Sequence, residues 1–410
     1  MLFTQLSKRL FISCLLTTSC LLQASENATL GSAESIPAQD EQPLFTITKS
    51  NLSEYSALLS EGAKHLLDHS SNYEMVIYPS HQTAVVPEHI AANMRQQNCQ
   101  LENSGNSISH CLPGSPFRSP ATGLEAIWNH LLRYRGDAIS GKSHRINVFP
   151  NGTHSTYTTD WQTLYIYGQP QEDHESFSNV LLINRSKVIE PVKDAQTLYL
   201  TKETINQDQN KPAFWQYFPG PRSVKRMSVL AYDFVVDHSY GLLTQDSLNM
   251  FNGSPEKYDW ELIGKQIMIV PYNNQKLATL KVDENLLHTE SLNPAALRYE
   301  QQGVWIVEAT LKKNMSHLYS KRRFYLDEDS WQILMADLYD KENNLFRYQE
   351  AYTFTATDIP VLVAPIQITY DFTGQGYLID GLNTDGTYWN FKARLKPMDF
   401  TPAALRRSGH

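Results

Sequence analysis

Apolar residues along this chain keep two different periods, and the change falls near residue 146. Upstream the spacing is helical. Leu52, Tyr55, Leu58, Leu59, Leu66 and Leu67 predict helix over 51–69, and Pro87 opens a second short helix. Leu124, Ile127, Trp128, Leu131 and Leu132 predict a third over 122–135. Between the second and third, residues 98–120 gather Gly, Ser, Asn and Pro and read as a loop. Downstream the period is two. Ile366, Ile368, Tyr370 and Phe372 alternate with Gln367, Thr369 and Asp371, which predicts a strand with one wet face. Residues 318–326, 331–339 and 345–354 read as three strands, with turns at 327–330 and 340–344, so this part is an antiparallel meander. Residues 304–311 and 266–271 read the same way.

The pattern is therefore α+β: a few N-terminal helices, then a long run of antiparallel strands. No repeat, low-complexity linker or composition break divides it, so one domain is expected over 45–405, after a flexible leader over 25–44. A large antiparallel sheet with few helices must cover one face or curl round a cavity.

The first residues read as an export signal. Lys8 and Arg9 supply a positive start, and the apolar run 11–22 is shorter than the roughly 20 residues a membrane span needs. Ala24 is the expected last residue before cleavage, which places the mature chain in the periplasm of a Gram-negative envelope. The alternative is a lipid anchor at Cys20 on the outer membrane, because Ser19-Cys20 resembles the end of a lipobox. Against it, the apolar run continues past Cys20, and Thr17 suits a lipobox poorly. Of the four cysteines, Cys14 and Cys20 fall in this signal. Cys99 and Cys111 remain, and two cysteines in an oxidising compartment point to a disulfide. Closing so short a loop contributes roughly 3 kcal/mol by chain entropy. A metal site is the alternative, and no further Cys or close-set His completes one.

Composition narrows the partners. Hydrophobic residues make up 41% of the 410 and charged residues 19%, enough for a packed core, and the formal net charge of −8 argues against a nucleic-acid partner. The 22 Tyr and 16 Phe favour strands.

Motif by motif, catalysis finds little support. Gly136-Asp-Ala-Ile-Ser-Gly141-Lys142-Ser143 fits the P-loop pattern, but a phosphate cradle needs a strand before it and a helix after it. Here the predicted order is reversed, so we expect no nucleotide and read a helix end and turn. His65 and His69 stand four apart on a helix, a metal spacing without a third ligand, and read as a solvated helix edge. No G-x-S-x-G, H-E-x-x-H or C-x-x-C occurs. No catalytic residue, cofactor or metal is assigned. The basic residues Arg222, Lys225 and Arg226, then Lys321, Arg322 and Arg323, read by default as solvated strand faces. Their functional reading is a docking patch made of Arg222, Arg226, Lys321, Arg322 and Arg323. The seven Trp are core by default; Trp128, Trp215, Trp260, Trp305 and Trp331 are the candidates to line a cavity. Asn129, His130 and Arg133 form a candidate polar cluster, which an enzyme would join to Asp246 or Asp337.

Several segments together resemble the domain of unknown function 1329 family of periplasmic proteins. Gly123-Leu-Glu-Ala-Ile-Trp-Asn-His-Leu-Leu-Arg-Tyr-Arg-Gly136 is the most specific. Phe218-Pro-Gly-Pro-Arg-Ser-Val-Lys-Arg226 follows, with Ser223 where a second Arg is usual, then Phe251-Asn-Gly-Ser-Pro-Glu-Lys-Tyr-Asp-Trp260 and Tyr325-Leu-Asp-Glu-Asp-Ser-Trp331. The resemblance covers about residues 45–405. It implies an incomplete antiparallel barrel like that of the lipoprotein carriers LolA and LolB, with a few helices covering an apolar cavity. It also implies lipid or other hydrophobic cargo, and work beside an RND-type exporter and an outer-membrane partner.

Three functions are thus in play: a periplasmic carrier of lipid or another hydrophobic compound, an adaptor that docks an envelope transporter without cargo, and an enzyme on an apolar substrate. The first leads, because apolar lining alone can hold cargo and needs no conspicuous polar motif.

Overall fold

The computed structural model describes residues 37, 41–169, 179–228, 231–283, 285–356, 359–383 and 389–409. The expected signal over 1–24, Cys20 and most of the leader over 25–44 lie outside the described residues.

The N-terminal part is short elements: β1 (Phe45–Ile47), α1 (Leu52–Tyr55), α2 (Glu61–His69), β2 (Met75–Ile77), α3 (Glu88–Arg95), the hairpin β3 (Gln100–Glu102) and β4 (Ser107–Ser109), and α4 (Gly123–Leu132). Long strands follow: β5 (Ala138–Val148), β6 (His154–Tyr165), β7 (Val180–Glu190), β8 (Leu198–Thr204), β9 (Ala213–Phe218) and β10 (Ser223–Met227). Beyond a segment of turns over 231–257 come β11 (Tyr258–Pro271), α5 (Gln275–Thr279), β12 (Tyr299–Leu311), β13 (Lys321–Asp327), β14 (Ile333–Tyr339), β15 (Leu345–Ala356), β16 (Val361–Asp371), β17 (Gly376–Asn383) and α6 (Pro402–Ser408). The disulfide joins Cys99 to Cys111 across the β3–β4 loop.

Fifteen of these strands make one sheet in the order β1-β2-β12-β13-β14-β15-β16-β17-β5-β6-β7-β8-β9-β10, with β11 alongside β12. Its ladders are antiparallel except where β2 meets β12 at Ile77 and Tyr299. The β17–β5 ladder, with Ile379 opposite Ile146, joins the C-terminal meander to the earlier strands. Among the described residues no ladder joins β10 to β1 or β11, so the curled sheet stays open, as expected of an incomplete barrel. Bulges sharpen the curl. One lies at Asp380/Leu382, where Gly381 has φ +91° and a Cβ would overlap the Pro365 carbonyl.

The helix expected over 51–69 is broken into α1 and α2, and the strand expected over 266–271 starts earlier, at Tyr258. Two further boundaries differ for a local reason. The third helix ends at Leu132 rather than Arg135, because Arg133 turns to extended backbone and spends its guanidinium on Asn249 and Gln332. Strand begins at Ala138 rather than Ile146. Gly141, Lys142, Ser143 and Arg145 hide the alternation there because one face of β5 does not meet a core. The helix is capped by Thr122, which accepts the Glu125 N–H, while Glu125 accepts the Ala121 N–H. Gly123 lets the helix approach β11 closely: a Cβ would stand 2.7 Å from the Glu261 carbonyl carbon.

The expected wet face of 366–372 is dry. Gln367, Thr369 and Asp371 are buried, because α4 and the 231–257 segment cover that side of the meander. Gln367 donates to the Ser247 carbonyl and accepts the Met250 N–H, Thr369 accepts from Gln349, and Asp371 pairs with Arg347 at 3.0 Å. On the other side, α2 packs Ala63, Leu66 and Leu67 onto β14–β16. That side holds a buried acid, Glu350, which accepts from Tyr73, Tyr299, Tyr348 and Tyr352 at 2.5–3.2 Å. Burial pushes its carboxyl up although four phenols oppose the shift.

Asp337 docks α2. Its carboxylate accepts the Gly62 N–H at 2.9 Å, the Glu61 N–H at 3.3 Å and the Tyr325 hydroxyl at 2.7 Å. Burial nevertheless pushes its pKa up to about 6. The native state then holds a proton that the unfolded chain has lost, from the ordinary carboxyl range up to that value, so this group's contribution to stability falls as pH rises through that window. Asp337→Asn cannot titrate. Its stability relative to the parent is expected to improve by roughly 2 kcal/mol between pH 4.5 and 7.5. Urea unfolding at the two pH values measures this, and an unchanged difference refutes it.

Candidate functional site

Strands β5 to β10 present two unlike faces. The outer face is a dry core in which Leu164, Leu198, Leu200 and Tyr217 pack against Phe400 and Leu405 of the C-terminal segment and α6. The inner face looks into a hollow of about 680 Å³, which shares Thr163, Tyr165, Asn184, Thr201, Phe214, Gln245 and Leu248 with an adjoining hollow of about 540 Å³. Each lies within the range of about 300–1,000 Å³ usual for small-molecule sites.

Alternation along the strands decides what lines it. β6 sends Tyr157, Thr159, Trp161, Thr163 and Tyr165 inward, and β7 sends Asn184 and Ser186. β8 contributes Tyr199 and Thr201, and β9 contributes their partners Gln216 and Phe214. The far wall is Leu362, Val363, Trp389 and Phe391. The lining is thus amphipathic, with large rings spaced by small hydroxyls and amides. Met227 and Phe234 also line it while exposing 40% and 48% of their surface, so apolar surface continues outward from the hollow.

The remaining wall is the 231–257 segment, which has little secondary structure of its own and is held by polar bonds. Asp246 is buried and pairs with Arg322 at 2.7 Å and His317 at 3.0 Å. Burial pushes the Asp246 carboxyl up, but Arg322 and His317 outweigh it and hold it down to about 2. His317 Nδ1 accepts the Tyr319 N–H, which leaves Nε2 to carry the proton toward Asp246. A second anchor is at 249–251. His130 Nδ1 accepts the Ile333 N–H, so Nε2 donates to the Asn249 carbonyl at 3.0 Å. Burial, then the Arg133 charge, pushes His130 well below its usual range, consistent with this neutral tautomer. Arg133 reaches the same loop at Asn249 Oδ1, 2.6 Å away. Asn249 and Met250 both have positive φ, 55° and 67°, a strained pair that these bonds hold in place.

Of the residues singled out from sequence, few share this hollow. Trp215 reaches its edge but stands opposite Leu200, on the face that packs against the outer core; the other four candidate tryptophans do not line it. Trp128 is buried with its Nε1 donating to the Gly105 carbonyl, Trp260 meets Phe251 edge-on, and Trp305 stacks on Trp331 at 5.9 Å, all in the core beside α4. Their places follow from the sheet side they alternate toward. Trp161 and Trp389 line the hollow instead. The signal for Trp161 was legible: Tyr157, Thr159, Trp161, Thr163 and Tyr165 put only rings and threonines on one face of β6.

The docking patch does not assemble. Arg222 and Arg226 are exposed beside or on β10, whereas Lys321–Arg323 sits on β13, ten places away in the sheet. Arg322 has no exposed surface, and Arg323 is paired with Glu308 at 2.7 Å. Asn129, His130 and Arg133 lie together on α4 and at its end, but Asn129 is spent on the Phe117 backbone. Asp246 and Asp337 are tied up with Arg322 and with α2, so they do not complete a catalytic cluster with His130. Gly136 precedes β5, and Gly141, Lys142 and Ser143 lie in that strand. His65 and His69 stack at 4.1 Å on α2. Among the described residues, no three His, Cys, Asp or Glu side chains are grouped to hold a metal ion, and no helix is long and apolar enough to cross a membrane.

The family model described as protein of unknown function DUF1329 matches residues 46–406. An uncharacterized protein of Pseudomonas aeruginosa is 34% identical over 380 residues, covering 91% of this chain and 83% of that one. Among solved structures, an outer membrane lipoprotein-sorting protein domain from Vibrio parahaemolyticus is similar at 17% identity and a TM-score of 0.46, over 70% of this chain and 98% of that one. A LolA superfamily protein from Nitrosomonas europaea is similar at 12% identity and a TM-score of 0.39, over 69% and 98%.

Asp246→Ala leaves the Arg322 guanidinium buried without a carboxylate, so we expect a loss of about 3–5 kcal/mol in chemical denaturation. A loss under 1 kcal/mol would show that the pair does not hold the wall.

Proposed function

The chain belongs to the DUF1329 family, and we propose that it is a periplasmic carrier which holds a lipid or other hydrophobic molecule in the hollow between β5–β10 and the 231–257 segment. The observation that carries this reading is the contrast between the two faces of the same strands. One face is filled by α6 and its neighbours; the other keeps space beside Trp161, Phe214 and Trp389.

The energetics favour such a role. Hydrocarbon burial yields about 0.8 kcal/mol per CH₂, so a chain of about 16 carbons offers on the order of 10 kcal/mol gross. Loss of translational freedom and ordering of the cargo take back several kcal/mol, leaving binding that is reversible, as a carrier requires. The threonines and amides among the rings keep the empty hollow compatible with water, so the protein need not collapse between loads. The export signal read from residues 1–24 supplies the compartment. The residues over 45–405 act as one domain in this reading. An RND-type exporter and an outer-membrane partner are proposed as donor and acceptor on the family resemblance.

Protein purified from an envelope fraction should carry lipid in native mass spectrometry. Stripped protein should bind the neutral probe N-phenyl-1-naphthylamine saturably. Phe214→Asp puts a charge where both hollows meet and should weaken the probe at least tenfold with little change in melting temperature. Absence of both co-purified lipid and saturable probe binding ends the carrier reading.

A further inference from the structure

Charge inside the hollow is unevenly matched. Arg145 lines it but is neutralised by Asp380 at 2.8 Å. Arg133 and Arg135, at the end of α4, are not. Arg133 is only 8% exposed and lines the hollow. Its partners are the His130 carbonyl, the Asn249 side-chain oxygen and the Gln332 side-chain oxygen, all uncharged. Arg135 lies with its guanidinium 4.9 Å above the Tyr165 ring. Among the described residues neither makes an ion pair with a carboxylate. The acid nearest in field to Arg135 is Glu203, in the adjoining hollow, where burial pushes the carboxyl up and Arg135 and Asn252 oppose the shift. Asp237 also lines the hollow, but near Tyr157 at the Arg145 end, so at the end of α4 two guanidiniums face one acid and leave a local surplus of positive charge.

A buried guanidinium keeps its proton, because its intrinsic basicity exceeds what burial removes. Neutral acceptors can orient it but cannot cancel its field. From this end, the inward face of β6 runs from Tyr165 through Trp161 to Tyr157, about 27 Å at roughly 3.4 Å per residue. It begins at cations without a paired carboxylate and ends at the Arg145–Asp380 pair, with Asp237 beside it.

Building on the carrier reading, we propose that the cargo is an anionic amphiphile whose carboxylate or phosphate head is received by Arg133 and Arg135 and whose acyl chain lies along the rings of β6 and β9. A guanidinium suits either oxyanion head, because its fork of N–H donors matches both.

Competition against bound N-phenyl-1-naphthylamine at pH 8 tests this with paired ligands, dodecanoate and dodecanol, each below its aggregation concentration. Dodecanoate should displace the probe at roughly tenfold to a hundredfold lower concentration than dodecanol, the ratio expected of a charge-assisted contact. Arg135→Gln, which removes no hydrogen bond seen in the structure, should bring the two ligands to within about twofold while leaving dodecanol unchanged. Arg133→Gln should do the same if it folds; the ligand pair and the Arg135 variant decide the matter without it. Dodecyl phosphate should behave as dodecanoate does. Equal displacement by dodecanoate and dodecanol overturns the head-group proposal while the carrier reading stands. Displacement of dodecanoate by millimolar acetate or inorganic phosphate also overturns it, since the site would then serve free anions. If neither dodecyl ligand displaces a bound probe, both readings fall.

Discussion

Arg322 sits in mid-strand with no exposed surface, and its carboxylate partner is Asp246, 76 residues earlier. Three rings surround the guanidinium, those of Tyr319, Tyr258 and Phe251 at 4.8, 5.2 and 5.7 Å. Such a charge, once buried, must be answered. Here the answer is a segment of turns that could not otherwise lie on the sheet. Thr244 donates to Asp246 and shares a hydroxyl contact with Ser247, so the pin extends to its neighbours. Val236, Leu242, Leu243, Met250 and Phe251 add apolar burial, and the ion pair fixes where the segment sits as a wall of the hollow.

The sheet solves a different problem on each stretch of its width. Over β13–β16 both faces are covered, so polar side chains there have no water and must satisfy one another. Glu350 with its tyrosines, Arg347 with Asp371, and Gln367 with the 247–250 backbone are three such solutions. Over β5–β10 only the outer face is covered. Polar side chains on the inner face stay wet or lightly bonded, and rings there keep surface to offer. One continuous curl thus passes from a fully packed slab to an open-sided trough, and the join is the β17–β5 ladder beside the bulge at Gly381.

This division explains what the sequence made legible. Strands with a dry face announce themselves by period: 318–326, 331–339 and 345–354 were placed nearly as observed, and so were the N-terminal helices. The antiparallel architecture followed from them, and its openness from the family resemblance. Residues buried on both sides broke the logic. Gln367, Thr369 and Asp371 alternate like solvent positions, and only the long-range partners at 246–250 reveal them as interior. Arg322 failed the same way: beside Lys321 and Arg323 it looks like surface, and its acid lies in a distant loop. Candidate tryptophans were misplaced because ring size does not say which face a strand turns toward the hollow. The pattern of β6 did say so, since rings and threonines share one face there.

The end of α4 ties these parts to the site. Arg133 leaves the helix as its cap, reaches the strained pair Asn249–Met250, and stands in the lining of the hollow. A side chain that merely closed a helix would be cheaper as a neutral residue, since a buried guanidinium costs several kcal/mol unless its charge is met. Asn249 needs only an uncharged donor, and His130 already holds its carbonyl. The structural duty therefore accounts for the position of Arg133 but not for its charge. What remains is its exposure to the hollow, beside Arg135, at the point where the inward face of β6 begins. A wall pinned by polar bonds, a trough of rings and a cation in excess at one end are together what the proposed cargo needs, greasy along its length and negative at its tip.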